Sequence, residues 1–229
     1  MGGPLVIAHR GASGYEVENS LAAFRAAHTL GADAVELDVH ATADGALVVH
    51  HDEMIGPHHI AHCSLKEVRA QPLKNGEPVP TLDEALAVIH PHLSAFVEIK
   101  SMSPRLDEKL FAILDAAPAP QKVAVHGFDH RIMHRLGERR PHLRRGLLSS
   151  SYPIWPIRVL EDADATILWQ HWEQVDQALV ESVHAAGMTI YVWTVDGPAA
   201  MQRQLALGVD GLCTGYPDRG RAAVDSLPR

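Results

Sequence analysis

The stretch Ser20-Leu-Ala-Ala-Phe-Arg-Ala-Ala-His-Thr-Leu-Gly31-Ala-Asp-Ala34-Val-Glu36-Leu-Asp38-Val39 decides the fold. Leu21, Phe24, Ala27 and Leu30 recur at helical spacing behind a Ser20 or Asn19 cap. Gly31 stops the helix in a left-handed cap, and an apolar strand follows at once. The same order of helix, glycine and strand returns at Gly187 and at Gly208, the latter closing a helix that Pro198 can open. Ser64-Leu-Lys-Glu67 and Thr81-Leu-Asp-Glu84 have the form of capping boxes, so helices are expected to begin there too.

Working outward, strand-like runs fall just after Pro4 near the N-terminus, and at 96–100, 123–128, 145–149, 165–169, 189–195 and 209–214. Strand alternating with helix predicts a parallel sheet, and about eight repeats predict an α/β (β/α)8 TIM barrel. With 34–39 and 46–51 the candidates number nine, one too many. Asp44-Gly45 is a tight-turn signal, so 36–42 and 46–51 are expected to form an antiparallel β-hairpin extension after the second strand. An open doubly wound sheet is the rival, but no Gly-rich nucleotide loop follows the first strand.

Composition sets limits on this picture. The 229 residues can bury a large core, and no linker, repeat or low-complexity stretch divides them, so residues 1–229 are expected to form a single domain. The balance of 20 basic against 28 acidic residues argues against nucleic acid or an anionic membrane surface as partner. Arg139, Arg140, Arg144 and Arg145 read as a solvated surface. Sixteen histidines are scattered without a compact zinc motif, and Cys63 and Cys213 form no CxxC pair. Met1-Gly2 hints at acylation, but Pro4-Leu5-Val6 runs directly into the first strand and leaves no free anchor segment. No charged leader precedes that strand and no apolar run approaches a membrane span, so the expectation is a cytoplasmic protein without a stable membrane anchor.

Three apolar runs end in ionisable residues: Ile7-Ala8-His9-Arg10-Gly11, Val35-Glu36-Leu37-Asp38-Val39 and Val48-Val49-His50-His51-Asp52. Glu36 and Asp38, two apart on a strand, point to one face. Clustered carboxylates repel one another and suit a hard divalent cation. In a barrel, strand C-terminal ends meet at one mouth, so His9, Arg10, Glu36, Asp38, His51, Glu98 and Lys100 should converge. The carboxylates can hold Mg²⁺ or Ca²⁺, the cations can neutralise a phosphate, and two imidazoles can serve as general acid and base. Hydrolysis of a phosphodiester needs all three functions.

At these residues the sequence resembles the glycerophosphodiester phosphodiesterase family. The signature stands here as His9-Arg10-Gly11, Glu18-Asn19-Ser20, Glu36-Leu37-Asp38-Val39, Thr42-Ala43-Asp44-Gly45, His51-Asp52 and Glu98-Ile99-Lys100. Val192-Trp193-Thr194-Val195, Gly208-Val209-Asp210-Gly211 and Tyr216-Pro217-Asp218 match in the tail, so the resemblance covers nearly the whole chain. It implies a barrel enzyme that releases sn-glycerol 3-phosphate and an alcohol from a small glycerophosphodiester. It further implies metal ligation by Glu36, Asp38 and Glu98, acid/base work by His9 and His51, and phosphate contact by Arg10 and Lys100. As nucleophile it favours the substrate's own glycerol 2-hydroxyl, through a cyclic phosphate. Three departures stand out: Val17 for a proline, Gly215 for an aspartate, and a shortened segment after Asp52, which bears on substrate choice.

Other residues read more plainly. His40, His50, His126 and His171 are expected to be structural, Phe128 to pack, and Trp193 to wall the substrate pocket. Glu18 is either a helix-terminal acid or a site residue, and Asn19 reads as a simple cap. Two other functions compete: a phospholipase D-type or phosphoinositide phospholipase C-like diesterase, and a catalytically silent metal-binding barrel. The first calls for a large apolar lid, for which the sequence offers Met54-Ile55 and the loop 152–157. The second calls for a lost histidine or carboxylate, and the core set is complete.

Overall fold

The computed structural model describes residues 3–228. The Met1-Gly2 pair, where the acylation hint falls, lies outside the described residues. The chain runs through β1 (Leu5–Ala8), α1 (Leu21–Thr29), β2 (Ala34–Ala41) and β3 (Leu47–Val49). Two short strands follow, β4 (Met54–Ile55) and β5 (His58–His59), then α2 (Leu65–Arg69) and α3 (Leu82–Val88). Next come β6 (Ser94–Ser101), α4 (Asp107–Asp115), β7 (Val123–Gly127), α5 (His130–Arg139), β8 (Arg144–Ser149) and α6 (Pro156–Asp162). The last repeats are β9 (Ile167–His171), α7 (Gln177–Ala185), β10 (Thr189–Trp193), α8 (Pro198–Ala206), β11 (Gly211–Thr214) and α9 (Pro217–Asp225).

Local chemistry explains these boundaries. Ser20 Oγ accepts from Ala23 N at 3.1 Å and caps α1, which buries Ala23, Phe24 and Ala27 against the sheet. Glu67 accepts from Ser64 N at 2.7 Å and Glu84 from Thr81 N at 2.9 Å, as the capping-box spacing requires. Gly31, Gly187 and Gly208 all take positive φ.

Eight strands pair in parallel around a closed ring, because β1 bonds to β2 on one side and to β11 on the other. The ninth, β3, is the antiparallel hairpin partner of β2, with Val39 opposite Val49 and Ala41 opposite Leu47. This is the expected (β/α)8 barrel with its hairpin. Two details differ. The strand read at 165–169 begins two residues later, because Ala165 N still bonds to Leu160 O to close α6. The β4–β5 ribbon, unforeseen, is too short and too polar for an alternating pattern to show.

The barrel interior is a packed core. Ile7, Ala34, Phe96, Ala124, Leu148, Ile167, Trp169, Tyr191 and Cys213 fill it, and the rings of Phe96, Trp169 and Tyr191 meet edge-on at 5.0 to 5.3 Å. One position makes room for this. A Cβ at Gly146 would lie 2.7 Å from the Trp169 ring. Gly146→Ala should therefore cost about 1–3 kcal/mol by overpacking. Urea unfolding checks this, and an unchanged midpoint would mean that Trp169 has another place to go.

Candidate active site

Side-chain alternation carries the interior face up to the barrel mouth. Two residues beyond inward-facing Ile7, Ala34, Phe96 and Ala124 come His9, Glu36, Glu98 and His126. Register then sets neighbours side by side: Asp38 pairs with Glu98, and Glu98 with His126. The cleft so formed is lined by His9, Arg10, Glu36, His51, Glu98, Lys100, His126, Phe128, Leu148, Trp169, Trp193 and Cys213. Seven of the eight residues selected from sequence line it. The eighth, Asp38, lies behind them with 1% exposure.

Asp38 binds cations of the protein itself. Lys100 Nζ is 2.9 Å from its Oδ1, and Arg10 Nε is 3.1 Å from its Oδ2. Asn19 Nδ2 donates to the same Oδ2 at 2.8 Å, so Asn19 orients Asp38 while Ser20 does the capping. Glu18 accepts from Arg10 at 2.9 Å, which makes it part of the site's outer frame. Arg10 reaches these partners from a turn at φ 54, a conformation uncommon for a non-glycine residue. Next to it Gly11 has φ 79, and a Cβ there would lie 2.7 Å from Ala23. Arg10 N also donates to Glu36 Oε2 at 3.0 Å.

Burial and like charge make the remaining carboxylates basic. Desolvation, then Asp38 and Glu98, raise Glu36 well above the ordinary carboxylate range. Desolvation, then Asp38, push Glu98 up to about 7. For Asp38 burial acts upward, but Lys100, Arg10 and Asn19 outweigh it and hold the group well below that range. Lys100 is raised by Asp38 and Glu98 against the opposing effect of burial. Burial, then Arg10, lowers His9 to about 3, and burial lowers His126 to about 3, so both rings are neutral.

His51 Nδ1 lies 2.7 Å from Asp52 Oδ1, which leaves Nε2 for the cleft. His9 Nε2 is 3.5 Å from Thr194 Oγ1. Trp193 donates its indole N–H to the Trp169 carbonyl at 3.1 Å, which fixes the ring as a wall of the cleft. Phe128 packs edge-on against it at 5.5 Å yet is 48% exposed, so it borders the opening and is not a core residue. His40 and His50 bond to backbone carbonyls of His51 and Asp52, and His171 packs edge-on against Trp193. His126, stacked on Trp169, lies closer to the carboxylates than these three. It is 1% exposed, and with Glu36 and Glu98 it offers donor atoms that lie within 4.8 Å of one another. The signal that finds it is register, since it occupies on β7 the place that Glu98 occupies on β6.

This geometry suits a divalent cation, because Glu36 and Glu98 crowd like charge beside a neutral imidazole, and Lys100, 2.8 Å from Glu98 Oε1, offsets it only in part. A barrel whose mouth gathers three imidazoles, two cations and a buried carboxylate cluster has the equipment of a phosphoric diester hydrolase. The chain belongs to the glycerophosphoryl diester phosphodiesterase family, whose sequence profile matches residues 9–219. It is 33% identical to the glycerophosphodiester phosphodiesterase of Caldanaerobacter subterraneus subsp. tengcongensis, over 93% of this chain and 95% of that one. The corresponding Bacillus subtilis enzyme is 28% identical over 93% and 84% of the two chains. Among solved structures, a phosphodiesterase from Oleispira antarctica in complex with the product sn-glycerol-3-phosphate aligns with TM-score 0.87 and 29% identity, over 98% of each chain. A glycerophosphodiester phosphodiesterase from Parabacteroides distasonis aligns with the same TM-score at 27% identity, over 98% of this chain and 99% of that one.

The raised pKa of Glu98 has a consequence for stability. Between about 4.5 and about 7 the folded metal-free protein keeps a proton that the unfolded chain has released. Its contribution is therefore complete below 4.5 and is lost as pH rises towards 7. Melting in chelator should show wild type losing ground to Glu98→Gln across that window, and a divalent cation should recover the loss for wild type. A wild-type-minus-variant difference that stays flat with pH would show that Glu98 carries no buried charge.

Proposed function

We propose that residues 1–229 form one catalytic domain that cleaves small glycerophosphodiesters to sn-glycerol 3-phosphate and an alcohol by two-histidine acid/base catalysis. One observation carries this reading: His9 and His51 open on a single cleft that also holds Arg10, Lys100, Glu36 and Glu98. Arg10 and Lys100 bind the phosphate, with Asp38 as the buried anion that holds both cations in place. Trp193 packs against the apolar edge of the substrate. The metal set read from sequence is Glu36, Asp38 and Glu98. Its carboxylates by themselves suit Mg²⁺ or Ca²⁺, and a bound ion would neutralise charge that builds up on the phosphorane oxygens.

His9, neutral and close to the phosphate-binding cations, takes the proton of the nucleophile, which is the glycerol 2-hydroxyl or water. His51, whose ring is oriented by the Nδ1 contact to Asp52, gives a proton to the leaving alcohol from Nε2. Beyond His51 the cleft continues into a groove lined by Glu16, Glu18, Asp52, Ile55 and Lys74, where the departing alcohol has space. No helix among the described residues is long and apolar enough to cross a membrane, and Cys63 and Cys213 are free and buried. With the net charge of −8, these features support action in the cytoplasm without a nucleic-acid partner.

His9→Ala and His51→Ala should each lower kcat by about 10²–10⁴ on glycerophosphocholine. A nitrophenyl ester, whose leaving group needs no proton, should rescue His51→Ala and leave His9→Ala impaired. Rescue of His9→Ala would exchange the two roles, and near-normal activity of both variants on the natural diester would end the two-histidine mechanism.

One feature favours a second reading, cleavage of a lysolipid at an interface. Ile154 and Trp155, in the loop that leaves β8 at the mouth face, are 83% and 69% exposed. Rates on glycerophosphocholine and on micellar lysophosphatidylcholine separate the two readings. We expect the water-soluble diester to be preferred, and a strong preference for the micelle would move the enzyme to the phospholipase D-type class.

A further inference from the structure

We propose that His40 is a positioning residue: its buried imidazole holds the peptide between His51 and Asp52 and so aims the His51 ring at the leaving oxygen. The proposal rests on the reading of His51 as the general acid, and it adds the group that sets its direction.

His51 stands where regular sheet pairing runs out. The hairpin strand β3 ends at Val49, and His50 N then donates to the Asp38 carbonyl at 3.1 Å. From there side chains take over the backbone's partners. His40 Nε2 is 3.0 Å from the His51 carbonyl oxygen, and His50 Nδ1 is 2.9 Å from that of Asp52. A carbonyl only accepts, so Nε2 of His40 carries the proton and donates. The donor is firmly mounted. His40 is 7% exposed on β2, opposite Val48 of β3 on one side and Ser101 of β6 on the other. A rigid strand thus grips a loop that bears a catalytic ring.

That grip matters because of what the held peptide joins. Side chains of consecutive residues in extended chain point apart, yet His51 Nδ1 and Asp52 Oδ1 meet at 2.7 Å. Their meeting depends on the plane of the peptide between them, and the His51 carbonyl lies in that plane. If the peptide turned, the two side chains would part and the ring would lose its orienting contact. Packing alone does not fix it, since the His51 side chain is 34% exposed.

The test assays the whole protein on glycerophosphocholine and on the nitrophenyl ester. His40→Leu should lower kcat on glycerophosphocholine by about 10–10², the scale of a small misplacement, with KM near wild type. It should turn over the nitrophenyl ester almost as wild type does, following the pattern of His51→Ala in weaker form. His40→Gln, whose amide nitrogen reaches the place of Nε2, should recover most of the loss. His40→Asn, whose amide is too short, should not, and it replaces His40→Leu if that variant fails to fold. An equal loss on both substrates, or a Gln variant no better than the Asn variant, overturns the positioning role while His51→Ala keeps its own contrast. If His51→Ala shows no contrast between the substrates, the acid reading falls and this proposal falls with it.

Discussion

Everything at the mouth of this barrel depends on one buried carboxylate and the three groups that compensate it. Asp38, almost wholly removed from water, would be prohibitively costly without Lys100, Arg10 and Asn19. Those partners come from the end of β6, the turn after β1 and the residue before the cap of α1. Satisfying one charge therefore ties together three strands and the first helix. It also holds Arg10 at its positive φ, a strain that persists only where the surroundings fix it. Gly11 lets that turn press against α1, so the His-Arg-Gly order is as much a backbone requirement as a chemical one.

Beneath this charged layer lies a rigid apolar one. The Trp169 indole leans over the neighbouring strand β8 into the space left by Gly146, and its face supports the His126 ring. Phe96 and Tyr191 brace the same indole edge-on. A floor of interlocked rings gives side chains above it little freedom to move, which is what preorganised electrostatics requires. The charged groups could not be held at these distances on a loosely packed base.

Much of this is legible in the order of the amino acids alone. Glycines at 31, 187 and 208, the Asp44-Gly45 turn and the two capping boxes each have a local physical cause, and local causes are readable. The strand-end rule also brings His9, Glu36, Glu98 and Lys100 to one cleft. What escapes is relational. His126 considered alone is a histidine in an apolar strand; only its register beside Glu98 gives it a place in the carboxylate cluster. The sequence sets Asp38 beside two other carboxylates without showing that Arg10 closes on it or that Lys100 is shared between it and Glu98. Asn19 reads as a cap because caps are sequence-local, whereas its bond to Asp38 spans two elements. Phe128 reads as packing because exposure is set by neighbours far along the chain.

The cleft is also asymmetric, and the asymmetry originates in which elements supply its two walls. On one side Trp193 and Phe128 stand edge to face, with the Trp193 N–H tied to a barrel carbonyl so that its ring cannot turn. On the other, His51 and Asp52 return from the hairpin beside Glu18, giving a polar wall open to water. Between them lie Arg10 and Lys100, the cations most able to hold an anionic centre. A glycerophosphodiester is itself divided in this way, into a compact polyol, a charged phosphorus and an alcohol that must leave. Under the proposed mechanism, anchoring the charge in the middle of a two-faced cleft would fix which substituent meets the aromatic wall and which meets His51. Orientation of that kind converts a collection of ionisable side chains into a site where proton transfer has a direction.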